Sequence, residues 1–176
     1  MLAAVITAPG AVEVSTVDDP APGEREVVVE VGACGLCGTD LHILRGEFAP
    51  TLPVIPGHEF AGEIVAVGSG VRDRRVGERV AVDPSLHCHE CHYCRRGRGN
   101  LCERWAAIGV TGPGGAARYA VAPEANCVPL PEHVRTEDAA LIEPLSCAVH
   151  GYDILRGTLG ASVLIYGSGT MGLMML

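Results

Sequence analysis

Two short segments between Cys37 and Glu59 gather one thiol, two imidazoles and two carboxylates, Asp40 and Glu59. Cys37-Gly38-Thr39-Asp40-Leu41-His42 opens the stretch and Gly57-His58-Glu59 closes it. Cys and His are the usual protein ligands of Zn²⁺, a carboxylate often joins them, and a catalytic zinc takes three protein ligands and keeps a fourth position for water or substrate. Cys37 and His58 supply two, with Glu59 beside them. A further ligand is expected from elsewhere in the chain, and Glu143 is the candidate. A single Cys and a single His this far apart are ordinarily unrelated, so the reading depends on what lies downstream.

A second group of thiols is more specific. Cys88-x2-Cys91-x2-Cys94-x7-Cys102 is set among Gly, Arg and Asn with almost nothing apolar. Such a segment cannot fold by burying itself, and four thiolates on one tetrahedral Zn²⁺ would supply the missing cohesion. Four sulfurs close the shell, so this ion is expected to be structural. An iron–sulfur cluster also uses four thiolates and ranks below zinc; disulfides are disfavoured by the crowded spacing. His87, His89 and His92 lie close by and read as solvated surface residues. Cys34, three residues before Cys37, makes a C-x-x-C, but no βαβ pattern surrounds it, and Cys34 is read as a small buried residue. Cys127 is read as core.

The third signal is Gly167-Ser168-Gly169-Thr170-Met171-Gly172. A G-x-G-x-x-G gains weight when it follows a strand and opens a helix. Here Ala161 to Tyr166 is β-branched and apolar, and Leu173 to Leu176 reads as a helix start. The glycines allow a tight turn and close approach of a pyrophosphate to the helix N-terminus. The acidic residue expected about 20 residues further on is not within the sequence.

The elements that must position these groups are mainly strands. Leu2 to Thr7, Val12 to Val17 and Glu26 to Val31 are β-rich runs separated by Pro9-Gly10 and Pro20-Ala21-Pro22-Gly23. Glu59 to Val67, Val76 to Val82, Ala116 to Ala122 and Cys127 to Leu130 continue the pattern. Short strands with turns between them indicate an all-β barrel. Thr136 is expected to cap a helix running to about Ile142, with Glu137 and Asp138 complementing its dipole, and a break at Glu143-Pro144. Pro144 suits the first turn of a second helix. Its stripe is Leu145, Ala148, Val149, Tyr152 and Leu155, and Gly157 and Gly160 end it. Glu143 then sits at a helix junction among apolar residues, where a metal would pair its carboxylate; an exposed glutamate beside a helix start is the alternative. His150 reads as structural.

With 176 residues, 48% of them apolar, a packed domain is expected rather than disorder. The net charge of −8 argues against nucleic acid or an anionic membrane as partner. Met1-Leu2-Ala3-Ala4-Val5-Ile6 lacks a basic leader, and Pro, Gly or charge interrupts every apolar run, so the expected location is the cytoplasm, with reduced thiols.

Taken together, Gly35 to His42, Gly57-His58-Glu59, the four-cysteine segment, Glu143-Pro144-Leu145 and Gly167 to Gly172 resemble the zinc-dependent medium-chain alcohol dehydrogenases across the whole chain. The resemblance implies a GroES-like β-barrel catalytic domain over residues 1–145 with a zinc lobe. The first strand and helix start of a Rossmann coenzyme domain would follow over 146–176, cut short. It also implies a catalytic zinc on Cys37, His58 and Glu143, with Glu59 as alternate or neighbouring ligand, and a structural zinc on Cys88, Cys91, Cys94 and Cys102. Thr39 and His42 match the family's proton relay. Gly167, Gly169 and Gly172 would hold NAD or NADP, with Cys147 near the nicotinamide. Glutamate at position 143 with Pro144-Leu145-Ser146 looks like the polyol (sorbitol-type) branch; threonine dehydrogenases share Gly-Thr-Asp-x-His. The implied substrate is a small alcohol or polyol, and the complete protein would be a dimer or tetramer. The alternative from another class is an isolated zinc-binding barrel with a scaffold role, and the 176 residues alone are expected to turn over poorly or not at all.

Overall fold

The computed structural model describes residues 1–48, 51–156 and 160–176. Strand β1 (Leu2–Ala8) pairs antiparallel with β2 (Ala11–Thr16). The chain then enters β3 (Glu26–Gly35), helix α1 (Gly38–Arg45) and β4 (Glu59–Val67). Next come β5 (Arg79–Val82), β6 (Ser85–Leu86), β7 (Ala106–Ala107), β8 (Tyr119–Pro123) and β9 (Cys127–Pro129). Helices α2 (Thr136–Ala139), α3 (Ile142–Leu155) and α4 (Thr170–Met174) complete the order. Five strands form one antiparallel sheet in the order β8-β3-β4-β5-β9. The β1–β2 hairpin is tied on by bridges from Ala3 to Ala117 and from Ile6 to Val54. The architecture is mainly β, as the alternating sequence predicts, with the expected barrel present as an open five-stranded sheet and an attached hairpin.

The main core lies inside the curl of the sheet and contains Val27, Val29, Phe60, Ile64, Val80 and Cys127. Val27 and Val29 face this core while Val28, also buried, lies outside it, so both faces of β3 are covered here. The β3–β4 register shifts between Val28 and Val29, with Val65 the extra residue on β4. That bulge sets two β4 residues against one of β3 and bends the strand locally. Phe60 is the largest fully buried side chain among the described residues, and truncating it to Ala would cost roughly 3–5 kcal/mol.

Three expectations require correction. The first helix is shorter than predicted: α2 ends at Ala139 and α3 already begins at Ile142, so Glu143 lies in its first turn rather than at a break. Of the expected stripe on α3 only Ala148 is buried; Leu145, Val149, Tyr152 and Leu155 are exposed. Arg156, in the left-handed region, closes that helix; Gly157 lies outside the described residues. Ala161 to Tyr166 forms no strand. Among the described residues nothing runs alongside it to complete a ladder, and β propensity without a partner supplies no hydrogen bonds. Helix α1 had no counterpart in the sequence reading.

One buried charge fastens the far end of the sheet. Glu124 is 3% exposed, and its carboxylate accepts from the backbone N–H groups of Arg72 (2.8 Å) and Asp73 (3.0 Å) and from Arg25 Nε (2.9 Å). The Asp73 and Arg72 amides and the Arg25 guanidinium lower its pKa to about 2, against the opposing effect of desolvation. A depressed carboxylate contributes stability that is present above its unfolded pKa and is lost as pH falls through the folded one. Urea unfolding should therefore show stability falling as pH drops from about 5 towards 2. Glu124→Gln should be less stable at neutral pH and show a shallower slope over that acid range; an unchanged slope would remove Glu124 from the network.

Candidate metal centre and coenzyme cleft

Helix α1 begins where the first ligand stands. Cys37 is its N-cap in extended conformation, and the buried Asp40 carboxylate turns back to accept the Cys37 N–H at 2.8 Å. The other oxygen of the same carboxylate accepts the Gly57 N–H at 3.1 Å. Asp40 thus ties the segment carrying Cys37 to the one carrying His58. Its Oδ1 also lies 3.7 Å from His58 Nδ1, too long for a hydrogen bond, and His58 Nδ1 is buried with no hydrogen-bond partner. Burial opposes protonation of His58, but Asp40 and Cys37 outweigh it and raise its pKa to about 9.

The approach to His58 is steered by glycine. Gly57 has φ +92°, and a Cβ there would fall 2.6 Å from Cys34 Sγ and 2.8 Å from the Ala116 backbone nitrogen. Behind it, a Cβ on Gly109 (φ +78°) would stand 2.2 Å from the Gly57 carbonyl oxygen. Gly114, Gly115 and Ala116 donate backbone hydrogen bonds to Ile55, Gly57 and Pro56. The 109–116 segment is therefore a seat for Pro56-Gly57-His58 that side chains would fill.

The ligand atoms of Cys37, His58 and Glu59 lie within 4.8 Å of one another. Donors about 2.0–2.3 Å from one zinc are on the order of 3.3–3.8 Å apart, so this cluster fits a single ion with small adjustments. Glu143 is not in that close set. It lines a cavity of about 410 Å³ together with Thr39, His42, His58 and Trp105. Desolvation raises the Glu143 pKa, with Glu59 adding to the effect and His58 opposing it. A cation in the cavity would relieve that penalty. Thr39 Oγ1 is 3.7 Å from Cys37 Sγ. Trp105 was not singled out from the sequence.

The lobe cysteines also converge, their four sulfurs within 4.8 Å of one another and Cys88 Sγ 3.9 Å from Cys94 Sγ. A tetrahedral Zn–S₄ site with bonds of about 2.3 Å has sulfurs about 3.8 Å apart. Backbone N–H groups of Cys88, Cys91, Cys94 and Arg104 point at lobe sulfurs at 3.3–3.5 Å. Desolvation raises Cys88, but the Cys91 amide and neighbouring thiols outweigh it and lower it to about 6. Desolvation and the Cys91 and Cys102 sulfurs push Cys94 up to about 12. Four thiolates this close would repel one another, and a cation among them would relieve that repulsion. All eight cysteines are free thiols. Cys127 is buried as expected, and Cys34 is half-buried, its pKa pushed up to about 12 by desolvation and by Asp40 and Glu59. His89 and His92 are exposed; His87 is half-buried with its ring against Gly99.

The glycine loop has the backbone its motif requires. Gly167 has φ +117°, Gly169 is the N-cap of α4, and a Cβ on Gly172 would stand 2.0 Å from the Gly167 carbonyl oxygen. A cleft of about 570 Å³ has this loop on one side and Cys37, Glu59 and Pro144 on the other. Cys147 faces a different cleft, with His87, Ser146 and His150, and its Sγ is 3.7 Å from Glu143 Oε1.

Two outcomes follow. Asp40→Ala removes both backbone anchors and should weaken metal at the Cys37 cluster about 10–100-fold, read by competition with a chromophoric chelator, while the lobe keeps its ion; equal loss from both would contradict this role. Cys91→Ser should lower unfolding stability by several kcal/mol, given the size of structural zinc binding. Unchanged melting would mean that the four thiols hold no structural ion.

Known proteins agree with this geometry. Residues 23–132 match the family described as alcohol dehydrogenase GroES-like domain. The chain is 46% identical over 158 residues to D-arabinitol dehydrogenase 1 of Uromyces fabae, covering 90% of this chain and 45% of that protein. It is 44% identical over 172 residues to an L-threonine 3-dehydrogenase of Saccharopolyspora erythraea, covering 95% and 49%. Among solved structures, a zinc-binding dehydrogenase of Sinorhizobium meliloti bound to NADP superposes with a TM-score of 0.96 at 41% identity, covering 99% of this chain and 51% of that one. The chain spans about half the length of the curated relatives it matches. With a match of this extent over the sheet, the Cys37 segment and the lobe, the chain belongs to the alcohol dehydrogenase GroES-like domain family.

Proposed function

We propose that this chain is the zinc-bearing part of an NAD- or NADP-dependent dehydrogenase acting on a polyol or another secondary alcohol. The observation that carries the reading is the placement of Cys37 and Glu59 on the wall of the cleft whose opposite wall is the glycine loop. A metal cluster and a pyrophosphate-binding turn that share one cleft suit an alcohol oxygen and a nicotinamide brought together. Cys37 and His58 would hold the catalytic ion, with Glu59 and Glu143 as the carboxylates available to it. Cys88, Cys91, Cys94 and Cys102 would hold the structural one.

A zinc ion bound at Cys37 supplies Lewis-acid polarisation of a hydroxyl oxygen. The chain's own residues do the rest. Thr39, on the cavity wall beside Cys37, is placed to accept a hydroxyl proton, and His42, one turn further along α1 on the same cavity, would be the base to which that proton passes. Gly167, Gly169 and Gly172 admit the pyrophosphate to the α4 N-terminus. Trp105 and Val110 give the cavity an apolar wall, and its polar groups suit a substrate with several hydroxyls. Cys147, beside Glu143, opens on a cleft other than that of the glycine loop, and its place near the nicotinamide rests on the family resemblance alone.

We assign residues 1–145 to the catalytic domain and 146–176 to the start of the coenzyme domain, a boundary that falls within α3. The dimer or tetramer of the complete protein belongs to the same proposal, and exposed Leu145, Val149 and Leu164 leave apolar surface for further chain. Eight free thiols support a reducing compartment such as the cytoplasm. None of the described helices is long and apolar enough to cross a membrane.

Metal analysis should find two zinc ions per chain, and Glu143→Ala should lower occupancy at the Cys37 cluster while sparing the lobe. Completed with the coenzyme-binding half of the arabinitol dehydrogenase relative, the chain should reduce NAD or NADP with a polyol, followed at the nicotinamide absorbance. Cys37→Ala should abolish that turnover. Oxidation of threonine in preference to every polyol tried would move the protein to the threonine branch, and one zinc per chain with no turnover would leave the scaffold reading.

A further inference from the structure

Helix α1 ends in a turn that folds its next residue back onto the proposed relay. Gly46 adopts the left-handed conformation (φ +74°), the Glu47 N–H bonds to the His42 carbonyl at 2.9 Å, and the Phe48 N–H bonds to the same oxygen at 3.3 Å. This reversal brings the Glu47 carboxylate to the imidazole of His42, with Oε2 at 2.5 Å from Nδ1. The turn is buttressed from outside. Gly10 donates its N–H to the Leu44 carbonyl at 2.5 Å, and a Cβ on Gly46 would stand 3.1 Å from the Pro9 ring. The β1–β2 turn therefore braces the segment that carries the pair.

His42 and Glu47 are both more than half exposed, and an ion pair in that setting adds little to stability. Yet both line the cavity that also contains Thr39, His58 and Glu143. A contact of small stabilising value, built by a dedicated turn on the wall of the proposed site, needs a use other than holding the fold.

We propose that Glu47 is a positioning residue for His42: its carboxylate accepts Nδ1–H and leaves Nε2 as the acceptor atom of the ring. Which imidazole nitrogen carries hydrogen is set by the bond that the other makes. With Nδ1 held by a carboxylate, it keeps its hydrogen whether the ring is neutral or charged, so the proton that arrives and departs is the one on Nε2. The Nε2 lone pair takes that proton, and the positive charge formed on the ring lies against Glu47. The use assigned to the pair rests on the dehydrogenase reading, whereas the tautomer can be observed without turnover.

The test is long-range ¹H–¹⁵N correlation of the imidazoles in the zinc-loaded, ¹⁵N-labelled chain, at a pH where the rings are neutral. The His42 signals are identified by their loss in His42→Gln, and exposed His133 serves as the reference. Wild-type His42 should show hydrogen on Nδ1. In Glu47→Ala its pattern should revert to the Nε2–H form that an unconstrained imidazole prefers, with an unchanged melting temperature, since Glu47 is exposed and outside the core. Nε2–H in the wild type, or Nδ1–H retained in Glu47→Ala, would overturn the proposal. Either of those results would leave the zinc-dehydrogenase reading standing, and a failure of turnover would leave the tautomer result standing.

Discussion

One carboxylate holds together the two segments on which the metal cluster depends. Asp40 accepts backbone N–H groups from Cys37 on one side and Gly57 on the other. It closes the N-terminus of α1, where a negative charge also complements the helix dipole. Without it, the Cys37 turn and the Gly57-His58 turn would depend on the β3–β4 ladder, which ends at Gly35 and Glu59. Desolvation works against ionised Asp40, yet His58 and the two amides hold its pKa below the usual carboxylate range. The anion is fully engaged, and it lies beside the imidazole that must bind a cation.

The sheet contributes the remaining constraint. Register pairs Gly35 with Glu59 across β3 and β4, and a Cβ at position 35 would fall 2.3 Å from Glu59 Oε2. The absence of a side chain at Gly35 thus gives Glu59 room to lie over the strand end, next to Cys37. Barrel pairing and metal-site geometry are in this sense one problem. A register slip of one residue would turn Glu59 to the opposite face and dissolve the cluster.

Much of this was legible in the sequence, because strands and metal lobes have local signatures. The β3, β4 and β9 runs lie close to where alternation and turn residues put them, and the Cys88 to Cys102 spacing announced a four-sulfur cluster before any coordinates. Helix α1 was hidden by its own composition. An eight-residue helix that opens with Gly38 and Thr39 has weak intrinsic propensity, and it is held by the Asp40 contact and by burial of Ile43. Gly109 and Gly114 were hidden for a different reason. Their purpose is to leave space for Gly57, and a close approach between distant segments leaves no mark in either one. Glu47 falls between the two cases, since its contact with His42 is local but arises from a left-handed turn rather than from helical spacing.

The dinucleotide end of the chain separates local from cooperative structure. The glycine loop is formed, with Gly167 in positive φ and Gly172 against the Gly167 carbonyl, because a tight turn and a helix cap need only nearby residues. The preceding Ala161 to Tyr166 has no strand pairing and leaves Leu164 and Tyr166 exposed. A parallel strand gains its hydrogen bonds and its burial from neighbours on both sides and helices on both faces, so its sequence can specify a preference but not a state. The exposed face of α3 has the same origin: Leu145, Val149, Tyr152 and Leu155 repeat at helical spacing and meet solvent. Periodicity reports which face is apolar, and burial requires that something else be present to cover it.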